Sequence, residues 1–186
     1  MLSCFKGKFK VTSPRGYRTL NGIREYHKGI DLVAQGADKN VYAIADGVVD
    51  ATPYEANGFG YYVRQKLPDG RRIYYAHLKA KSVCVKSGQV IKTGDKLGVM
   101  GATGRVTGAH THLEIRPQGY SSDSLDISEF TGIPNKTGTY EADIPPSEAA
   151  QNIKEKCGFE KQTMKYLSAY KHADSLFLKL WKAMNK

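Results

Sequence analysis

His110-Thr111-His112-Leu113-Glu114-Ile115-Arg116 carries two imidazoles two positions apart, followed by apolar residues that alternate with charged ones. That alternation is the signature of a half-buried strand, and in a strand positions 110 and 112 project from one face. Two imidazoles on one face can share a metal ion, or one can bind it while its neighbour works on a substrate. Other donors must come from elsewhere in the chain, which has five histidines.

His27-Lys28-Gly29-Ile30-Asp31-Leu32 supplies them. Ile30 and Leu32 alternate with Asp31, so the apolar pair turns inward and the carboxylate turns the other way. His27 and Asp31, four apart, share that outer face in an extended chain, and Gly29 between them leaves room for a close approach. His27, Asp31 and one of the pair His110 and His112 give three N/O ligands. That is the ligand count of a catalytic zinc site, which keeps its fourth position open for water. His77 ends the run Ile73-Tyr74-Tyr75-Ala76-His77. A period of two puts Ile73, Tyr75 and His77 on one face and reads as a half-buried strand histidine. His172, with Lys171 and Asp174 as neighbours, reads as a surface residue.

The elements that position these residues are strands. Asn21-Gly22, Asn57-Gly58, Asp69-Gly70, Ser87-Gly88, Thr93-Gly94 and Thr103-Gly104 mark turns at short intervals,. Between them, β-rich runs cover 41–44, 47–51, 61–67, 73–78, 83–85, 97–100 and 112–115, and Pro68-Asp69-Gly70 predicts a hairpin,. The fold class is mainly β: a compact antiparallel sandwich or barrel-like domain over 1–136, with a small C-terminal helical bundle. Residues 118–146 turn to Gly, Ser, Pro and Asn around an apolar patch at 125–130. They read as trailing coil, with a linker over 137–146 that ends at Pro145-Pro146. Ser147 then reads as the N-cap of the first of three short helices in 147–186, and Gly158 as its stop. This module carries eight Lys against Glu148, Glu155, Glu160 and Asp174, so 8 − 4 = +4. Its stripe of Leu176, Phe177, Leu180 and Trp181 reads as core.

At 186 residues, 40% hydrophobic and 25% charged, the composition is that of a soluble globular protein,. No apolar run approaches the ~18 residues that span a bilayer. The N-terminus alternates apolar and basic residues and lacks an apolar signal core, so the expectation is a chain made in the cytoplasm without a signal peptide. Cys4, Cys84 and Cys157 show no Cys-x-x-Cys spacing. They read as buried thiols in a reducing cytosol. The net charge of +10 calls for an acidic partner,. No basic run interleaved with aromatics singles out nucleic acid.

His27-x-x-x-Asp31, Tyr75-Ala76-His77-Leu78 and His110-Thr111-His112-Leu113-Glu114-Ile115-Arg116 stand in the order found in the lysostaphin-like (LytM-type) zinc peptidases. Val41-Tyr42-Ala43-Ile44-Ala45-Asp46-Gly47-Val48-Val49 and the stretch Gly94-Asp95-Lys96-Leu97-Gly98, running on to Gly104, resemble that family's scaffold. The resemblance covers roughly residues 10 to 135 and misses the C-terminal helices. It implies an antiparallel β-fold with a groove floored by one sheet, and an endopeptidase cutting stem or cross-bridge peptide bonds of bacterial peptidoglycan. It further implies one Zn2+ per chain on His27, Asp31 and His112, with His77 and His110 as catalytic groups beside the metal's water. Thr111 departs from the leucine commoner there, and points off the site face.

With the +10 charge, the resemblance implies a monomeric phage or prophage lysin, released by a holin or carried in a tail. The helical module would engage anionic wall polymers. A non-catalytic wall-binding or amidase-activating protein on the same scaffold is the alternative, and the full ligand set speaks against it. An acyl-carrier-like β-sandwich, prompted by the Gly-x-Val and Gly-Asp-x-Leu repeats of 83–99, leaves four histidines unexplained.

Overall fold

Three neighbouring strands with apolar residues at every second position form the centre of the main sheet. The structure, a computed structural model, describes residues 1–20, 22–119, 123–143, 146–169 and 172–185. Its strands are β1 (Lys8–Ser13), β2 (Gly16–Leu20), β3 (Ile23–His27), β4 (Ile30–Ala34), β5 (Asn40–Tyr42), β6 (Gly47–Ala51), β7 (Tyr54–Glu55), β8 (Gly60–Lys66), β9 (Arg72–Leu78), β10 (Val90–Ile91), β11 (Lys96–Val99), β12 (Thr111–Arg116) and β13 (Gly138–Glu141). Its helices are α1 (Ile127–Thr131), α2 (Pro146–Cys157), α3 (Lys161–Ser168) and α4 (Ala173–Met184). The fold is mainly β and antiparallel, as the alternation predicts. One nine-stranded sheet runs β10-β6-β8-β9-β12-β4-β1-β13, with β7 on β8; β2–β3 and β5–β11 are separate ribbons.

In the middle of the sheet His112 lies opposite Asp31 on one flank and opposite Ala76 on the other. Ile30, Leu32, Ile73, Tyr75, Leu113 and Ile115 fill one face and are at most 1% exposed. Asp31, Tyr74, His112 and Glu114 take the opposite face by the two-residue period. The buried Tyr75 and Gln65 side chains partner one another and the backbone. The Tyr75 hydroxyl donates to Gln65 Oε1 at 2.7 Å and accepts from the Ile44 N–H at 3.0 Å, while Gln65 Nε2 donates to the Ala45 carbonyl at 2.6 Å,.

The expected run 47–51 coincides with β6, and 61–67, 73–78, 97–100 and 112–115 fall within a residue of β8, β9, β11 and β12. The hairpin at Asp69-Gly70 closes with Leu67 N–H on the Arg71 carbonyl at 2.8 Å, and Gly70 at φ +88° makes the reversal,. Residues 83–85 are not a strand: Val83 and Val85 pack on the core from an irregular segment. The stretch 118–146 is not coil throughout. Asp126 caps α1 by accepting from the Ser128 N–H at 2.8 Å, and Ile127 and Ile133 enter the core,. Residues 137–146 are not simply a linker, because β13 pairs with β1, Tyr140 opposite Phe9. Both elements are too short for sequence periodicity to reveal them. The chain accordingly divides into compact units at Met1–Ala142 and Asp143–Lys186.

In the second unit Ala149, Ile153, Ala173 and Phe177 bury one another, with Leu180 and Trp181 partly buried on them. The first helix begins at Pro146, one residue before the expected cap. The Ser147 side chain, Pro145 and Tyr170 lie outside the described residues. Gly158, at φ +64°, ends α2 as expected,. Among the described residues no helix is long and apolar enough to cross a membrane. Cys4 is buried, but Cys84 and Cys157 are exposed, contrary to the reading of three buried thiols.

Candidate metal centre

His27 closes β3, and Lys28-Gly29 then turns the chain from the β2–β3 ribbon into β4, where Asp31 is the second residue. His27 and Asp31 therefore reach one point from two sheets. Gly29 is required for this: a Cβ there would stand 2.9 Å from the His112 ring and closer still to the Leu113 carbonyl. Cross-strand pairing supplies the third group, His112. His27 Nε2, Asp31 Oδ1 and His112 Nδ1 form a triangle with edges of 3.0, 3.0 and 2.9 Å. All three side chains are buried.

The outer nitrogens fix the tautomers. His27 Nδ1 lies 2.8 Å from the Pro14 carbonyl and His112 Nε2 lies 3.0 Å from Glu114 Oε2. Both partners accept, so both outer nitrogens carry the hydrogen and the neutral rings turn lone pairs inward. Two nitrogen lone pairs and a carboxylate oxygen then converge on one point, where a metal ion or a proton relieves them. Tetrahedral zinc with bonds of about 2.0–2.2 Å sets its ligand atoms about 3.3 Å apart, so these edges need to open by roughly 0.3 Å. The donor set fits.

Electrostatics point the same way. Burial would raise the Asp31 pKa, but the adjoining imidazoles of His112 and then His27 outweigh it and hold this carboxyl far below the usual range,. Burial opposes charge on His112, yet Asp31 and Glu114 override it and push its pKa up to about 9. A proton thus competes with a metal for the same point.

His110 and His77 sit beside the triangle. His110 precedes β12 and makes an isolated bridge to Gly101; its Nδ1 donates to the Gly108 carbonyl at 2.9 Å, and its Nε2 is 3.6 Å from Asp31 Oδ1. His77 is not where strict alternation places it. Between Tyr61 and Val63 the β8–β9 register slips, and His77 takes φ +61°, a left-handed conformation rare outside glycine,. The bulge turns His77 away from the face of Ile73 and Tyr75 and toward the metal triangle. Its ring centroid lies 4.8 Å from His110 and 6.1 Å from His112, and its Nδ1 donates to the Thr103 carbonyl at 2.9 Å. Burial pushes its pKa down to about 4. His172 is exposed in the second unit, apart from this cluster in the sequence and in its unit.

Three residues without a role in the sequence reading belong to the site. Arg18, on β2, donates from Nη1 to Asp31 Oδ2 and Ser13 Oγ, each at 2.9 Å, and from Nε and Nη2 to Glu25 Oε1 at 2.9 and 2.8 Å. Nothing in the sequence marks it, since the β2–β3 ribbon brings it in. Glu114 anchors His112 and accepts from Arg116 Nε at 2.6 Å; its position two residues after His112 on one strand face was a readable signal. Phe59 stacks on His112 with centroids 5.5 Å apart. His27, Asp31, His77, His110 and His112 all line one groove with Arg18, Glu25, Phe59 and Arg105.

Residues 25–124 match peptidase family M23, and the chain belongs to that family of zinc metallopeptidases. The peptidoglycan DD-endopeptidase ShyC of Vibrio cholerae is 35% identical over 108 residues, 58% of this chain and 24% of that protein. A zinc-containing peptidase from Vibrio cholerae aligns with TM-score 0.53 and 30% identity, over 62% of this chain and 34% of its own. The catalytic domain of the antimicrobial peptidase lysostaphin from Staphylococcus simulans aligns with TM-score 0.56 and 28% identity, over 65% of this chain and 90% of its own. The chain spans about a quarter of the length of the curated relatives it matches.

Proposed function

We propose that this chain is a zinc-dependent endopeptidase that hydrolyses stem or cross-bridge peptide bonds of bacterial peptidoglycan, with His27, Asp31 and His112 as zinc ligands. The observation that carries the reading is the convergence of three lone-pair donors on the groove, beside two further histidines anchored from behind. A zinc ion bound there supplies Lewis acidity for the scissile carbonyl and a water whose pKa is near 7. Arg18 keeps the second Asp31 oxygen occupied, so the carboxylate offers Oδ1 alone. Glu114 and the Pro14 carbonyl hold the two ligand imidazoles in the correct tautomer,. His77 and His110, each donating from Nδ1 to a backbone carbonyl, keep Nε2 free to accept a proton from the attacking water and return it to the leaving amine,.

A non-catalytic binding protein on this scaffold has no need for the left-handed backbone at His77, which places a free imidazole nitrogen toward the groove at the cost of strain,. The +10 charge suits an anionic wall, and the basic helical unit suits anionic wall polymers,. Those features support action as a phage or prophage lysin on the wall after holin-type release, or from a phage particle.

The test is to add the zinc-loaded protein to purified peptidoglycan and follow turbidity together with newly freed amino groups. The reading expects both to change and both to stop on chelation. Clearing without new amines, or amines that appear equally with chelator present, contradicts it.

A further inference from the structure

We propose that Arg105 is a binding site for a carboxylate of the substrate, which makes the groove selective for an anionic peptide. This rests on the peptidase reading and adds the charge of the peptide that is taken. Arg105 lines the same groove as the metal triangle. Its backbone is clamped. The Arg105 N–H donates to the Gly58 carbonyl at 3.0 Å, and the preceding Thr103 donates from Oγ1 to the Leu78 carbonyl at 2.7 Å while accepting from the Tyr61 N–H at 3.0 Å. Gly104, at φ +79°, fits there because a Cβ would collide with Gly58 and Gly60. The Arg105 side chain on this rigid base is 59% exposed.

The two arginines of the groove are in contrasting states. Arg18 spends its donors on Asp31, Ser13 and Glu25. Arg105 has Glu25 Oε2 at 3.6 Å, outside hydrogen-bond reach, and among the described residues no acceptor lies nearer,. Glu25 is thus committed to Arg18 and stands in only loosely for an anion on Arg105. A planar fork of donors fixed on a clamped loop matches a carboxylate in two-point contact. The formal charges of Arg18 and Arg105 balance those of Glu25 and Asp31, so a divalent cation in the triangle leaves the groove positive.

The experiment uses two synthetic peptides with the same scissile bond, one with a free carboxylate beside it and one with a carboxamide in its place. Non-cleavable versions carry an N-methylated scissile bond. On the zinc-loaded chain, calorimetry should give the non-cleavable carboxylate peptide about 10- to 100-fold tighter binding than its carboxamide twin, the usual weight of one charged hydrogen-bonded pair. The preference should shrink with added salt. In Arg105→Gln the ratio should fall toward one, and Arg105→Lys, which keeps a point charge but not the fork, should restore part of it. Equal affinity for the two peptides in the parent chain, or a ratio unchanged in Arg105→Gln, overturns the proposal. Failure to cleave either parent peptide while the binding ratio holds counts instead against the peptidase reading.

Discussion

Arg18 Nη1 donates to Asp31 Oδ2 at 2.9 Å while the other oxygen of that carboxylate faces His27 and His112 at 3.0 Å. The carboxylate is divided between an arginine and a metal triangle, and each half fixes the other. Replacing Arg18 with Met frees Oδ2 and lets the carboxylate rotate. The expected result is zinc affinity lower by about 10–100-fold, the range for an outer partner of a metal ligand, with the fold intact. Competition against a coloured chelator measures it, and an unchanged affinity would reduce Arg18 to a surface ion pair.

His77 and His110 stand outside the three donors that converge, His110 Nε2 lying 3.6 Å from Asp31 Oδ1. His77→Ala and His110→Ala should each retain zinc and lose about 10²–10⁴-fold in kcat, the usual contribution of a positioned acid–base group. A variant that cleaves at near the parental rate has lost only scaffold.

How much of this was legible differs residue by residue. Asp31 and the pair His110 and His112 could be placed on the site face because their strands' apolar neighbours declare the buried face, and the resemblance alone chose His112 of the pair. Gly29 was readable as the residue of close approach. His77 was placed by the resemblance alone, since strict alternation sends it to the Tyr75 face and a left-handed φ at a non-glycine residue leaves no mark in composition,. Arg18 was hidden for another reason. Its ribbon is mostly exposed, with Tyr17 and Ile23 outward, so no apolar pattern announced β2 or β3,. The strand β1 alternates, with Phe9 and Val11 inward and Lys8 and Lys10 outward.

Thr111 is 0% exposed, and its hydroxyl has no hydrogen-bond partner. A buried unsatisfied hydroxyl costs about 1–3 kcal/mol. Thr111→Val keeps the shape and removes that group, so it should raise the melting temperature by a few degrees, about 2–4 °C per kcal/mol for a unit of this size. A fall in melting temperature shows that the hydroxyl has a partner in solution.

Asp50 joins three strands by accepting from Arg64 Nε at 2.6 Å and Arg72 Nε at 3.1 Å. Burial would raise its pKa, but the two arginines outweigh burial and lower it from the ordinary 3.8. A lowered folded pKa contributes stability that is complete above the unfolded value and is lost as pH falls through the folded one. Asp50→Asn should therefore cost about 1–3 kcal/mol at pH 7, and the gap from the parent should close as pH drops below about 4. Urea melts at both pH values decide it; a gap that stays constant with pH assigns the effect to packing.

The central claim is that His27, Asp31 and His112, and not His110, hold one metal. Zinc content after gel filtration, measured side by side in the parent, His110→Ala and His112→Ala, tests it most directly. The account predicts about one zinc per chain in the first two and almost none in the third, because a three-ligand site does not survive loss of a ligand. Zinc retained in His112→Ala and lost from His110→Ala would contradict it.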